Sequence, residues 1–221
     1  MKTQEEIKKD VVDQLYWDYR VDASKVKVKI DGSTVNLEGS VANYNAKNNA
    51  ELDAWSIEGV SIVHNNLEVE YPPTLELPTD EEIKTNVEST LILNNDIDSS
   101  TVDVSVTGGI VTLKGSVDAY WKKVKAENLI SDLTGVISIL NKLTIVPTKS
   151  FVDQDIAEDI ISSISRNINV DVENVNVKVE NGVVTLSGTV SDWSAYTATM
   201  EAARYTAGVV DINDNLIIET L

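Results

Sequence analysis

Apolar residues return every three to four positions at Ile7, Val11 and Leu15, again at Ile83, Val87 and Leu91, and again at Ile156, Ile160 and Ile164. That spacing predicts three helices, each with one buried stripe. Thr3 with Glu6 and Thr79 with Glu82 have the capping-box spacing at two of the starts, and Asp153 begins the third. Behind each helix the pattern changes to strict alternation, in Val26, Val28, Ile30; Val102, Val104, Val106; and Val175, Val177, Val179. Period two with β-branched residues predicts a half-buried strand. Asp31-Gly32, Gly108-Gly109 and Asn181-Gly182 then supply tight-turn chemistry, so the next segment is the return strand of a hairpin. Small residues on the inner face of a second helix follow, at Ala50 and Ala54, Ala126 and Ile130, and Thr199 and Ala203. A last strand runs through Val63, Leu67 and Val69; Ile139, Leu143 and Ile145; and Ile212, Leu216 and Ile218.

These elements recur because the chain repeats: a shift of 76 residues, then of a further 73, superposes Val35-Asn36-Leu37-Glu38-Gly39-Ser40-Val41 on its counterparts beginning at Val111 and Val184. The 221 residues therefore read as three tandem α+β units of αββαβ order, each a three-stranded sheet packed against two helices. The expected bounds are 1–71, 79–146 and 153–221, joined by a proline-rich linker over 72–78 and a shorter one over 147–152. Leu75, Leu77, Phe151 and Val152 are apolar for a tether, so they are expected to dock on adjacent units. Gly39, Gly115 and Gly188 mark a bulge or a crossing too close for a side chain. Gly59, Gly135 and Gly208 stand where a helix C-cap glycine is expected. A unit of about 70 residues is marginal alone, which favours packing between copies.

Charge narrows the partners. The net charge is −18, and the third unit alone has three basic residues against twelve acidic. Such a field repels phosphate backbones, so nucleic acid is not an expected partner. There is no cysteine, and no apolar run reaches the ~18 residues a spanning helix needs. The first ten residues lack the apolar core of a signal peptide, so the chain as written is expected in the cytoplasm, or in the periplasm if an export signal has been removed.

The motif V-x-L-x-G-[ST]-V, a helix, a Gly-Val pair, and a final strand led by Asn65-x-Leu67, Asn141-x-Leu143 or Asp214-x-Leu216 together resemble the BON domain, named for bacterial OsmY and nodulation proteins. The resemblance covers nearly the whole chain. It implies an αββαβ fold, a place in osmotic or envelope stress, and binding of phospholipid membranes or envelope components without catalysis. The acidic balance and the lack of an export signal depart from the family pattern.

Catalytic and metal chemistry find little support. His64 is the only histidine, and one imidazole without cysteines builds neither a zinc site nor a nucleophile-base pair. The Lys114-Gly115-Ser116 order breaks the phosphate-loop motif. Paired acids such as Asp153 and Asp155 have no apolar surround to raise a pKa. No cofactor and no enzymatic activity are expected.

Aromatic residues are the candidate contacts. Tyr44, Tyr120 and Trp193 share one repeat position, and Trp121 extends it beside Lys122, Lys123 and Lys125. A loop of that composition suits a lipid headgroup layer or a protein partner; the same rings would also suit caps on small cores. Tyr16, Trp17 and Tyr19 belong to the first copy only and suit an interface. The sequence thus supports a non-catalytic binding or scaffold protein contacting phospholipid surfaces, and as the alternative a soluble acidic protein that protects or binds other proteins under stress.

Overall fold

A computed structural model describes residues 2–219; Met1, Thr220 and Leu221, at the outer ends of the first and third units, lie outside the described residues. The first unit runs α1 (Gln4–Trp17), β1 (Val26–Asp31), β2 (Thr34–Val41), α2 (Tyr44–Trp55) and β3 (Ile62–Val69). The second runs α3 (Asp80–Ile92), β4 (Val102–Thr107), β5 (Ile110–Val117), α4 (Tyr120–Ile130) and β6 (Ser138–Ile145). The third runs α5 (Asp153–Ser165), β7 (Val175–Glu180), β8 (Val183–Val190), α6 (Trp193–Tyr205) and β9 (Asp211–Ile218). The αββαβ order and the α+β class are those the periodicities predict.

Each sheet places its second strand in the centre, antiparallel to the first and parallel to the last. A parallel partner requires a crossover, and the second helix supplies it, lying back over the sheet. In the first unit Val35 and Leu37 of β2 are fully buried against Val11 and Leu15 of α1 and Ala50 and Ala54 of α2. The alanines let α2 approach closely. The opposite sheet face is polar, with Lys29, Asn36 and His64 in one cross-strand row, so His64 is an exposed surface residue.

Helix starts follow the expected caps at Thr3 and Thr79, each with the reciprocal Glu6 or Glu82 bond. The third start has no side-chain cap; Asp153 is used elsewhere. Its carboxylate accepts the turn N–H groups of Asn181 and Gly182 at 2.7 and 2.8 Å, as Asp80 accepts those of Gly108 and Gly109 at 2.7 and 2.9 Å. These bonds tie each hairpin turn to the first helix and hold the Asp80 carboxyl below the usual carboxylate range. The first unit has Gln4 at that position and a different turn, Gly32-Ser33.

Gly39, Gly115 and Gly188 sit under a crossing. Each has φ between +110° and +116°, and a Cβ there would stand 2.0 to 2.1 Å from the carbonyl oxygen of Lys25, Thr101 or Asn174 at the end of the preceding 3₁₀ turn. Gly59, Gly135 and Gly208 differ from expectation. They lie beyond the helix ends at Trp55, Ile130 and Tyr205 rather than at the C-cap, because their work is to leave room for Ile7, Ile83 and Ile156, the first core residues of the opening helices.

The linkers also differ in part. Phe151 packs on Gly208 yet stays exposed, as do Leu75, Leu77 and Val152. Tyr71 makes the tie instead, its hydroxyl donating to the Val136 carbonyl and accepting from Gly135 N–H, both at 3.0 Å.

Candidate functional site

The aromatic position shared by the three copies builds the junctions between them. Tyr44, at the start of α2, packs on the core of the second unit, and Tyr120, at the start of α4, packs on the core of the third. Trp193, at the start of α6, stacks on Trp55 at the end of α2, with ring centroids 4.5 Å apart. Trp193 also stacks on Tyr196 at 4.8 Å. The order is thus first to second, second to third, third back to first: a head-to-tail contact that closes into a ring. Burial raises the phenol pKa of both Tyr44 and Tyr120, with the Arg204 charge opposing it at Tyr120.

Each junction follows one rule. The ring at the start of one second helix lies toward the last turns of the next: Tyr44 is within reach of the Glu127 charge of α4, Tyr120 of the Arg204 charge of α6, and Trp193 stacks on Trp55 of α2. Trp55 was not legible as a contact from the shared motif, since the other copies have Ser131 and Arg204 there. A lone tryptophan at a non-conforming repeat position was the available signal.

Trp121 does not stand out into solvent. It is half-buried in a groove between α4 and α6 that Glu201, Arg204 and Tyr205 complete. Lys122 and Lys125 lie over its indole, 5.6 and 5.7 Å from the ring centroid. Lys122 is ion-paired with Asp118 at 2.7 Å, and Lys125 with Asp96. Lys123 serves the fold through its carbonyl, which accepts the Asn141 amide at 2.8 Å, and Asn65 does the same to the Lys47 carbonyl. This bond accounts for the asparagine of the Asn-x-Leu motif: it ties the last strand to the second helix. In the third copy Asp214 accepts the Tyr196 hydroxyl instead, and that bond together with burial holds the phenol ionisation well above its usual range.

A buried carboxyl pair is peculiar to the first copy. Asp53 occupies a position that is Leu129 and Ala202 in the others, and its Oδ1 accepts Gln14 Nε2 at 3.1 Å while Oδ2 is buried without a donor. Arg20 clamps the neighbouring Asp18 with bonds of 2.6 to 3.0 Å and holds it ionised, whereas burial pushes the Asp53 carboxyl up. A folded-state pKa raised above the unfolded value costs stability as pH climbs from the ordinary carboxylate range through the raised value. Asp53→Leu is therefore expected to stabilise the first unit at pH 7 by about 1–3 kcal/mol, the usual cost of an unsatisfied buried polar group. Denaturant titrations at pH 7 and pH 4 check it: the gain should shrink at the lower pH, and a loss of stability at pH 7 would refute the reading.

The most exposed apolar residues among those described gather at one repeat location. Trp17 is 77% exposed and lies between the exposed Tyr16 and Tyr19 at the end of α1. The same turn in the second copy carries Ile92 and Leu93, the latter 83% exposed, and in the third Ile168, 98% exposed. Among the described residues no helix is long and apolar enough to cross a membrane, and no three His, Cys, Asp or Glu side chains gather as metal ligands would.

Comparisons with known proteins agree with this repeat. Osmotically-inducible protein Y of Escherichia coli (strain K12) is 27% identical over 126 residues, a match that covers 56% of this chain and 63%, under two thirds, of that protein. A solved structure of CdsD, a structural protein of the type III secretion system of Chlamydia trachomatis, covers 96% of this chain and 92% of its own at 13% identity, but its TM-score of 0.28 is too low to carry an argument. The model of the BON domain matches residues 3–71, 79–147 and 152–220, and the chain accordingly belongs to the BON domain family.

Proposed function

We propose that this is a non-catalytic binding protein of the osmotic-stress type, which rests on phospholipid surfaces through the ends of its first helices. The carrying observation is the exposure of Tyr16, Trp17 and Tyr19, with Ile92, Leu93 and Ile168 at the corresponding turns. The reading sets these three turns against one surface, where weak apolar contacts add through effective concentration. Tryptophan and tyrosine favour the headgroup level of a bilayer, and burying such a side chain contributes about 1.5–3 kcal/mol.

The net charge of −18 sets the lipid preference. Zwitterionic vesicles are favoured, and anionic lipid weakens binding most at low salt. The Trp121 cluster is a poorer contact, since its lysines are engaged with Asp118, Asp96 and the indole itself.

Co-sedimentation with phosphatidylcholine vesicles tests this. The triple variant Tyr16→Ser, Trp17→Ser, Tyr19→Ser is expected to lose at least tenfold in retention, the equivalent of about 1.4 kcal/mol. A variant changed at Trp121, Lys122 and Lys123 should bind like the parent. Undiminished retention of the helix-end variant would overturn the assignment, and no retention of the parent would favour the soluble stress-protection reading.

A further inference from the structure

The two junctions on either side of the third unit are built from corresponding residues, yet one is narrow and the other wide. Between α4 and α6 the groove has a volume of about 440 Å³ and is lined by Trp121 and Lys125. Between α6 and the end of α2 the cleft measures about 860 Å³. The repeat register explains the difference: Trp121, Val124 and Lys125 are replaced by Ser194, Thr197 and Ala198. Small side chains stand where large ones would close the gap.

The open cleft has an apolar wall and a polar floor. Trp55 and Trp193 form the wall, and their mutual stacking fixes them before any ligand arrives. Thr197 lies on the floor with its hydroxyl oxygen buried and without a partner. Elsewhere on the same helix Thr199 and Thr206 donate to the carbonyl four residues back, at 2.8 and 2.7 Å. A buried hydroxyl left unpaired is costly unless something else completes it.

The chemistry of the rim selects the ligand. Asn169, Glu58 and Glu201 offer amide and carboxylate groups, and no lysine or arginine lines the cleft. Anions are therefore repelled, a phosphate or a lipid headgroup phosphate among them. A flat apolar face with many hydroxyls fits both surfaces, stacking on indole while donating to carboxylates and exchanging hydrogen bonds with amides and a threonine hydroxyl. The volume lies within the range of small-ligand sites. We infer that the cleft between the first and third units binds a neutral saccharide, as the free sugar or as a segment of a glycan chain.

Titration of the full chain with maltotriose, cellotriose or triacetylchitotriose, followed by calorimetry and by amide shifts in NMR spectra, tests the inference. Saturable binding of at least one of them with Kd near 1 mM or below is expected, with shifts clustered around Ser194 and Thr197. The double variant S194W/A198K, which transplants the pair that narrows the neighbouring junction, should weaken binding at least tenfold. Thr197→Val keeps the side-chain volume and should weaken it several-fold, which guards against misfolding of the double variant. Failure of all three sugars to saturate, or full binding by S194W/A198K, would overturn the site. Trilysine or inorganic phosphate saturating the cleft in place of the sugars would overturn the ligand class. Vesicle retention is independent of these outcomes, since the helix-end variant should bind sugar like the parent.

Discussion

Gly115→Ala is expected to destabilise the second unit by about 3–5 kcal/mol, enough to unfold a domain of this size or bring it close to unfolding. Two costs add. At φ +110° an alanine already carries backbone strain of about 1–3 kcal/mol. Its Cβ would also stand 2.0 Å from the Thr101 carbonyl oxygen, a backbone atom that cannot swing aside. The Thr101 hydroxyl fixes that turn further, its one proton shared between the Asp98 and Ser116 carbonyls at 2.8 and 2.7 Å. Gly32→Ala is the control. It has φ +61° and nothing within 4 Å of its Cβ, so only the left-handed conformation is penalised, by about 1–2 kcal/mol. Chemical denaturation of both variants decides between strain and collision. Equal losses would show that the close carbonyl does not matter.

Trp193→Ala should open the ring. The first and second units and the second and third are joined by linkers, but the third meets the first through non-covalent contacts led by the Trp193–Trp55 stack. Trp193 is half-buried, so its truncation costs less than the about 3–5 kcal/mol of a fully buried tryptophan, shared here between the third core and the junction. Trp55→Ala separates the two, because its indole spans the cores of the first and third units from the far side of the stack. Both variants are expected to scatter X-rays as larger particles and to unfold in separable steps. An unchanged radius of gyration with one cooperative transition would exclude the stack as the closure.

The units were legible in the sequence and their assembly was not. Ile7, Val11 and Leu15 have a helical period and are buried on one stripe, and Val28 alternates inward as period two requires. Such local patterns state which side of an element is covered, without stating by what. Tyr44, Tyr120 and Trp193 show the limit: a ring after the second strand can cap its own core or its neighbour's, and the sequence is the same for both. Strand order was likewise open, because the hairpin fixes β1 beside β2 while the place of β3 depends on where α2 crosses. The turn glycines were half legible. Gly39 shows the close crossing that its position in a strand suggested, whereas Gly59 was misplaced because a helix end and the turn beyond it carry the same residue types.

The copy-specific residues hold a different lesson. Asp53 breaks a position that is apolar in Leu129 and Ala202, and Trp121 breaks one that is Asn45 and Ser194 in the other copies. Departures from the repeat are visible by alignment of the chain with itself. Their meaning is not, since an acid at an apolar position is explained only by Asp18, Arg20 and Gln14, which lie far away along the chain.

Closure of the head-to-tail contact also fixes how many copies the molecule can hold. A contact of this kind leaves a donor patch on one end and an acceptor patch on the other, and in an open chain both recruit further molecules without limit. Here the third copy consumes the patch that the first leaves exposed. Closure at three leaves neither of these two patches free to recruit a further copy.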